Sequence, residues 1–234
     1  MTMSELVKRS PLRILEQSIH GGLGAGNIGV FSSPKGLGKT ACLVHIATDK
    51  LFQGQHVIHV SFAARTDHII RWYEDIFGEI VDKRELSDVV DVHDEIIRNR
   101  VIMNFSQDGT NADQLLRSLR AMITDGGFAA DVLVVDGYDF VKGSPESIAA
   151  IKSFAEELGI AVWFSASSPE DPSIVDERGV PTYLTSYLDH ISVLITLEAT
   201  PEFIKLRLVK DHQKLMGDDL HVRLDSKSLL IVER

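Results

Sequence analysis

The chain has 234 residues, enough for one domain, or one core with small additions, that buries its own hydrophobic interior. Its formal net charge of −10 disfavours broad contact with nucleic-acid backbones. The single cysteine, Cys42, excludes an internal disulfide and indicates a reducing compartment. Because the sequence shows neither a signal-peptide core nor an apolar run near the ~20 residues of a membrane span, we expect a cytoplasmic protein with no membrane partner.

Alternating strand and helix patterns predict an α/β fold, with a mainly parallel sheet and helices on both faces. After a lead-in of residues 1–18, a buried strand is expected at 27–32 and a helix at 38–52, which Gly54 would close. The later patterns predict strands at 56–62, 101–105, 132–135 and 160–164, and helices at 67–77, 88–98, 111–124 and from Ser144 onward. We interpret residues 1–234 as one domain.

The last part of the chain, residues 190–234, is β-rich, with turn-length connections. We expect it to add an antiparallel extension to the parallel core, with strands at 191–197, 203–209, 221–224 and 229–232. The polar segment 166–181 before it is long for a connection, which is typical of a functional loop. Its acidic residues outnumber its one arginine, Arg178, which is unfavourable beside a polyanion.

A phosphate-binding loop is predicted between the first strand and the first long helix, where the chain reads Ser33-Pro34-Lys35-Gly36-Leu37-Gly38-Lys39-Thr40. Its glycines let the backbone turn N–H groups onto phosphates, and the following helix adds the positive end of its dipole. Lys39 can reach the β- and γ-phosphates, and the Thr40 hydroxyl can bind Mg²⁺. Ser33 departs from the pattern, which has glycine there for its conformational freedom.

A magnesium site is predicted from Thr40 and Asp136. Asp136 ends the apolar run 132–135, as the carboxylate of a Walker B strand does, and such a carboxylate holds Mg²⁺ directly or through water. The alternative is a turn-forming aspartate before Gly137. The predicted cofactors are therefore ATP and Mg²⁺, and the predicted nucleotide-binding residues are those of the loop, 33–40, together with Cys42.

The glycine-rich segment 19–27, which leads into the first strand, reads Ile-His-Gly-Gly-Leu-Gly-Ala-Gly-Asn. Together with the phosphate loop and the later strands, it resembles the RecA superfamily of P-loop ATPases, most closely the KaiC-like and DnaB-like domains. The resemblance covers roughly residue 10 to the C-terminus. It implies a RecA-like P-loop core.

The resemblance also implies residues that act on the nucleotide. The family's glutamate that activates water falls on Ala63, or on Ala64 if the register slips, and neither can accept a proton. The family's polar sensor falls on Ser165 or Ser167, and we add Ser165 to the predicted nucleotide-binding residues. A serine-rich turn is the alternative interpretation.

A late strand of the family ends in Lys-x-Arg, which reaches the nucleotide of the neighbouring subunit. Here Lys210 matches the lysine, and His212 stands where the arginine would be. Histidine lacks the permanent charge and the forked geometry of arginine, so a weakened trans contact is expected. Asp139 is a possible substitute for the missing catalytic acid, as are Asp67 and Glu74.

The preferred functional interpretation is a nucleotide-binding, KaiC-like domain that hydrolyses ATP slowly or not at all. ATP would then control self-assembly or the binding of a protein partner, and we expect no nucleic-acid partner. One alternative is an active, DNA-linked ATPase of the repair or helicase type. Another is a structural paralogue that binds no nucleotide and uses the fold as an interaction surface.

Overall fold

The computed structural model describes residues 3–62, 67–84, 89–106, 112–168 and 174–234. The helices in these ranges are α1 (Met3–Lys8), α2 (Leu12–Ser18), α3 (Lys39–Phe52), α4 (Asp67–Arg84), α5 (Val89–Arg98), α6 (Ala112–Arg120) and α7 (Pro145–Leu158). A π-helical turn (Ala121–Asp125) continues α6, and a short 3-10 helix covers Thr182–Tyr187. Within the described ranges, no helix has both the length and the apolar character needed to span a membrane.

The described strands are β1 (Ile28–Ser33), β2 (Val57–Ser61), β3 (Arg100–Asn104), β4 (Val132–Asp136), β5 (Ala161–Ser167), β6 (Val193–Ala199), β7 (Ile204–Asp211), β8 (Lys214–Leu224) and β9 (Ile231–Glu233). They form one nine-stranded sheet in the order β3-β2-β4-β5-β1-β6-β7-β8-β9. Neighbours from β3 to β6 are parallel, and those from β6 to β9 are antiparallel. The predicted α/β class and the antiparallel C-terminal addition are therefore confirmed.

A hydrophobic core lies on each face of this sheet, because successive residues of a strand point to opposite faces. On β1, Ile28 and Val30 enter one core, which α6 and α7 complete, and Phe31 enters the other, which α1 to α5 complete. Helices thus cover both faces, as predicted. The arrangement leaves the two ends of the parallel strands as the places where polar residues can gather.

Three element boundaries differ from the prediction. The antiparallel part begins at β7 rather than near residue 190, because β6 pairs with β1 in parallel. Helix α4 continues to Arg84 instead of ending at 77, since Ile80 extends its buried face. Strand β8 begins at Lys214 instead of 221, and the exposure of its first half explains why no hydrophobic alternation marks it.

Candidate nucleotide-binding site

The predicted phosphate loop joins the end of β1 to the start of α3. Gly36 and Gly38 both have a φ of +86°, a left-handed conformation that residues with side chains disfavour. Gly38 has a second constraint, because a Cβ atom there would lie 2.4 Å from Leu224 Cδ2 on β8. The loop therefore packs directly against the antiparallel part of the sheet.

The side chain of Lys39 turns back into its own loop. Its Nζ donates hydrogen bonds to Ser33 O (2.9 Å), Ser33 Oγ (3.1 Å) and Pro34 O (2.8 Å), and only 6% of the residue is exposed. Burial lowers the pKa of Lys39 to about 8, although the nearby Asp136 carboxylate acts in the opposite direction. The ammonium group is thus mostly charged at neutral pH, and each of its three N–H donors has an acceptor.

Asp136 is held by two hydroxyl groups, one from each side. Thr40 Oγ1 donates to Asp136 Oδ2 at 3.0 Å, and Ser165 Oγ donates to Asp136 Oδ1 at 2.6 Å. Ser165 Oγ in turn accepts the backbone N–H of Gly137 at 2.8 Å. The structure thus brings together both predicted magnesium ligands and the predicted sensor, although these residues come from α3, β4 and β5.

Ser33 occupies its position without backbone strain. It is the last residue of β1, and its φ is not positive; among the described non-glycine residues, only His20, His212 and Leu229 have positive φ. The conformational freedom of glycine is therefore not needed here. The departure from the phosphate-loop pattern instead supplies a hydroxyl that accepts a hydrogen bond from Lys39.

The other predicted loop residues differ in their access to a ligand. Lys35 and Gly36 are exposed, and Pro34 and Leu37 are partly buried. Cys42 lies inside the core with no exposed surface, and burial raises the pKa of its thiol to about 12. The structure thus does not bring the Cys42 side chain to the open side of the loop.

A pocket of about 80 Å³ flanks the loop, between its first residues and the segment after β5. Ser33 and Pro34 line it on one side, and Ile174, Val175 and Arg207 line it on the other. A larger cavity exists elsewhere in the molecule. Loop geometry is a better guide than cavity size to where a phosphate would bind, because phosphates bind to backbone N–H groups at a helix start rather than in deep cavities.

Lys210 and His212 both lie at the starting ends of the parallel strands, whereas the predicted phosphate loop lies at their carboxyl ends. In the sheet register, Asp211, the residue between them, pairs with Val193 of β6, which pairs with Gly29, the second residue of β1. Lys210 Nζ donates to the carbonyl oxygen of Leu188, and burial lowers the pKa of this lysine. Both side chains have partners within the chain, since His212 Nδ1 contacts Asp211 Oδ1 at 2.7 Å.

The structure places the residues that were considered for catalysis in different surroundings. Ala63 and Ala64 lie outside the described residues. Asp139 Oδ1 accepts two backbone N–H groups of the turn that follows it, at 3.0 and 3.2 Å, so this carboxylate holds the turn. Glu74 Oε2 contacts His93 Nε2 at 2.7 Å on the surface of α4.

Two features of the site have no clear sequence signal. Leu224 supports Gly38 from a strand that lies far along the chain, and only the register of the sheet brings them together. The hydrogen bond from Gly137 to Ser165 likewise depends on neighbouring strands. No protein-family model matches the chain, and comparison with curated proteins finds no match either.

Proposed function

We propose that the chain is an ATP-binding domain of the RecA superfamily, similar to KaiC-like domains, in which hydrolysis is slow or absent. The observation that carries the proposal is the 3.0 Å hydrogen bond between Thr40 Oγ1 and Asp136 Oδ2. These residues are 96 positions apart, and β5 lies between the strands that lead to them. Their meeting supports the Walker A and Walker B interpretation over two unrelated turns.

The residues present suit magnesium. Mg²⁺ prefers oxygen ligands and usually keeps several waters, binding through one or two protein groups together with phosphate oxygens. Thr40 and Asp136 supply such oxygens, and the described residues contain no group of three or more His, Cys, Asp or Glu side chains that could form an all-protein site. When bound with the nucleotide, the ion would neutralise charge on the β- and γ-phosphates.

The proposal of slow hydrolysis rests on the missing base. The family's glutamate position holds alanine, and general-base catalysis contributes ~10²–10⁴-fold to such reactions. Asp139, the nearest alternative in sequence to Asp136, uses one oxygen to hold its own turn. ATP would then serve as an assembly ligand that fixes an oligomer or a partner surface, and a trans role for Lys210 would require its ammonium group to leave Leu188 O.

A second candidate, the nucleotide-free paralogue, is favoured by one observation. The ammonium group of Lys39 is fully hydrogen-bonded to Ser33 and Pro34, so the loop is satisfied without a phosphate. A triphosphate would have to replace these bonds with its own oxygens. A phosphate anion attracts the Lys39 ammonium group more strongly than a neutral carbonyl does, because both partners are then charged, and for this reason we prefer the binding function.

The test is to measure Mg·ATP binding, turnover and oligomer mass on the same sample. A binder should gain about 2.7 kcal/mol of stability at a ligand concentration a hundredfold above Kd. We expect this gain in the unmodified protein and its loss in Lys39→Ala. Lys214→Ala is the matched control, because Lys214 is an exposed lysine of β8, outside the loop.

Each competing function has its own outcome. Absence of any thermal shift with Mg·ATP would favour the nucleotide-free paralogue. Turnover comparable to that of active RecA-like ATPases, abolished by Lys39→Ala, would contradict slow hydrolysis. Stimulation of that turnover by single-stranded DNA, together with salt-sensitive DNA binding, would favour the DNA-linked ATPase.

A further inference from the structure

A cavity of about 390 Å³ lies at the starting (amino) ends of the parallel strands, at the opposite end of α3 from the phosphate loop. Its volume falls within the ~300–1,000 Å³ range of small-molecule pockets. Ligands of open α/β sheets usually bind at the carboxyl ends of the strands, so fold alone gives no reason for a cavity here.

The cavity has an apolar floor and a backbone roof. The floor includes Leu15, Ile46 and Trp163, whose indole is only 4% exposed and stacks on Phe31 with ring centroids 5.1 Å apart. The roof is the segment 21–25, in which three glycines have positive φ. Such a floor can hold the body of a small organic molecule.

Two contacts fix the roof segment at its flanks. His20 Nδ1 contacts Asp211 Oδ2, and His212 Nε2 lies 3.4 Å from the carbonyl oxygen of Leu23. Asp211 is 3% exposed, so its carboxylate forms a buried anchor between the roof and the β7–β8 turn. These contacts hold the roof segment in place, so the cavity is bounded on this side by backbone with fixed partners.

Most of the charges around the cavity neutralise one another. Arg13 contacts Glu16 and Asp49, and Lys50 Nζ contacts Glu16 Oε1 at 2.8 Å. These four residues carry two positive and two negative charges. Asp131 is the remaining charged residue of the lining, and its side chain is 46% exposed. Its Oδ2 also lies 3.5 Å from His56 Nδ1. Counted with the histidines neutral, the lining together with Arg13 has a formal net charge of −1, which the Asp131 carboxylate carries.

Two polar groups of the lining have capacity for a ligand. Asp131 Oδ2 accepts the backbone N–H of His56 at 2.8 Å, which leaves Oδ1 available. The side-chain oxygen of Gln55 has no hydrogen-bond partner, although the residue lines the cavity and this atom is shielded from solvent. A rotated amide would present this oxygen to a donor in the cavity, since the two amide orientations have nearly the same shape.

We propose that this cavity binds a compact organic amine, whose apolar body lies on Trp163 and whose ammonium group pairs with Asp131. The negative charge selects a cation over a carboxylate of the same shape, and the apolar floor selects an amine with a hydrophobic body over a bare inorganic cation. The proposal is independent of ATP binding, because the two sites lie at opposite ends of the strands.

The test uses three probes with the same phenyl body and different head groups: phenethylamine, 2-phenylethanol and 3-phenylpropionate. Fluorescence of Trp163, observed in a Trp72→Phe background, reports occupation of the cavity floor, since these are the two tryptophans of the chain. We expect saturable binding of the amine, weaker binding of the alcohol and no binding of the carboxylate. Calorimetry on the same samples gives the affinities.

Two variants locate the binding. Asp131→Asn keeps an oxygen that can accept the backbone N–H of His56. It should weaken amine binding about tenfold, because it removes the negative charge from a charge-assisted hydrogen bond. Ala25→Phe, at an exposed position of the roof, should block the cavity. Asp218→Asn, an equal change of charge at an exposed position on β8, should leave the affinity unchanged.

The outcomes that overturn the proposal are distinct. A response that does not differ among the three probes, or an amine affinity that Asp131→Asn and Ala25→Phe leave unchanged, would exclude an amine site. Absence of amine binding would do the same. If Ala25→Phe instead lowers the oligomer mass while no probe binds, the cavity is an interface for a second copy of the chain and not a small-molecule site.

Discussion

The two ends of the parallel strands differ in how they use their polar groups. At the carboxyl ends, the pocket beside the phosphate loop is about 80 Å³, and Lys39 and Asp136 are hydrogen-bonded within the chain. At the starting ends, the cavity is about 390 Å³, and Arg13 and Asp49 form part of a charge network behind it. The largest cavity described and the predicted phosphate loop therefore lie at different ends of the parallel strands.

This difference follows from what each end must hold. A phosphate needs backbone N–H groups, a lysine and a helix start, and these lie at the surface of a short loop. In the part of the chain that the structure describes, the starting ends have no loop that combines these three features. Instead, α2, the roof segment and α3 meet there around an apolar floor. The four predictions below change one end at a time.

The largest effect is expected from Arg13→Ala at the starting ends. The variant leaves Asp49, which is 2% exposed, without its cation, and breaking a buried pair in this way typically costs about 3–5 kcal/mol. Urea unfolding at pH 7 measures the loss. Arg71→Ala is the control, because its 3.8 Å contact with Asp67 is exposed and should contribute about 0–1 kcal/mol.

The same variant has a defined pH dependence. Burial raises the pKa of Asp49, and Arg13 opposes that rise. Without Arg13 the pKa of the carboxyl group rises further, so the group becomes neutral in the folded state at a higher pH and no longer needs a cation. The defect should therefore shrink as the pH falls from 7 to 5. A defect that is independent of pH, or no larger than that of Arg71→Ala, would contradict the role of this pair.

The second effect concerns two glycines of the phosphate loop. Gly36 and Gly38 have the same φ, so alanine at either position costs about 1–2 kcal/mol of backbone strain. Only at Gly38 does the new Cβ meet Leu224, and such overpacking typically adds about 1–3 kcal/mol. Thermal unfolding of Gly38→Ala and Gly36→Ala gives the difference.

A double variant identifies the cause of that difference. Leu224→Ala removes the side chain that the new Cβ would meet, so the added cost of Gly38→Ala should fall in that background. If both glycine variants lose the same stability, the contact between the loop and β8 has no energetic role.

The third effect distinguishes Ser165 from Ser167, the two serines on which the family's polar sensor could fall. Ser165→Ala removes a partner of both Asp136 and the Gly137 N–H, which should cost about 1–3 kcal/mol. Ser167→Ala should be nearly neutral, because Ser167 lies outside this set of bonds. Equal losses in chemical unfolding would show that Ser165 does not position the carboxylate.

The smallest effect is the pH dependence of ATP affinity, which rests on the proposed function. Burial lowers the pKa of Lys39 to about 8 in the free protein, and bound phosphates would favour the charged form and raise that pKa again. Binding above pH 8 therefore takes up a proton, and affinity should fall by up to about tenfold per pH unit. Calorimetry from pH 7 to 9.5 measures this. A constant affinity over that range would contradict the contact between Lys39 and phosphate.

Local signals in the sequence predicted several elements correctly. Helix α7 begins after Ser144, as predicted: Pro145 lies in its first turn, and the Ser144 side chain accepts the Ser147 backbone N–H. Residues 132–135 form a buried parallel strand, as their apolar run predicted. The helices of the lead-in, α1 and α2, were not predicted, because their short length leaves no clear hydrophobic period.

Part of the candidate site was also accessible from sequence. The motif placed Lys39 and Thr40 at a helix start, and the apolar run placed Asp136 at a strand end. The choice between Ser165 and Ser167 required the sheet, since Val135 of β4 pairs with Phe164 of β5, and this register brings Ser165 beside Asp136. The amine-site lining also required it, because its residues come from separate segments between residues 12 and 163.

The amino-acid sequence alone therefore establishes what depends on neighbours along the chain. It indicates the phosphate loop, the acidic strand end and the alternation of strands and helices, because these arise from local backbone preferences and hydrophobic period. The tertiary structure decides which strand lies between β1 and β4, which serine reaches Asp136, and why Gly38 contacts β8. Those contacts depend on strand order and register, which result from packing over the whole chain and leave no local pattern.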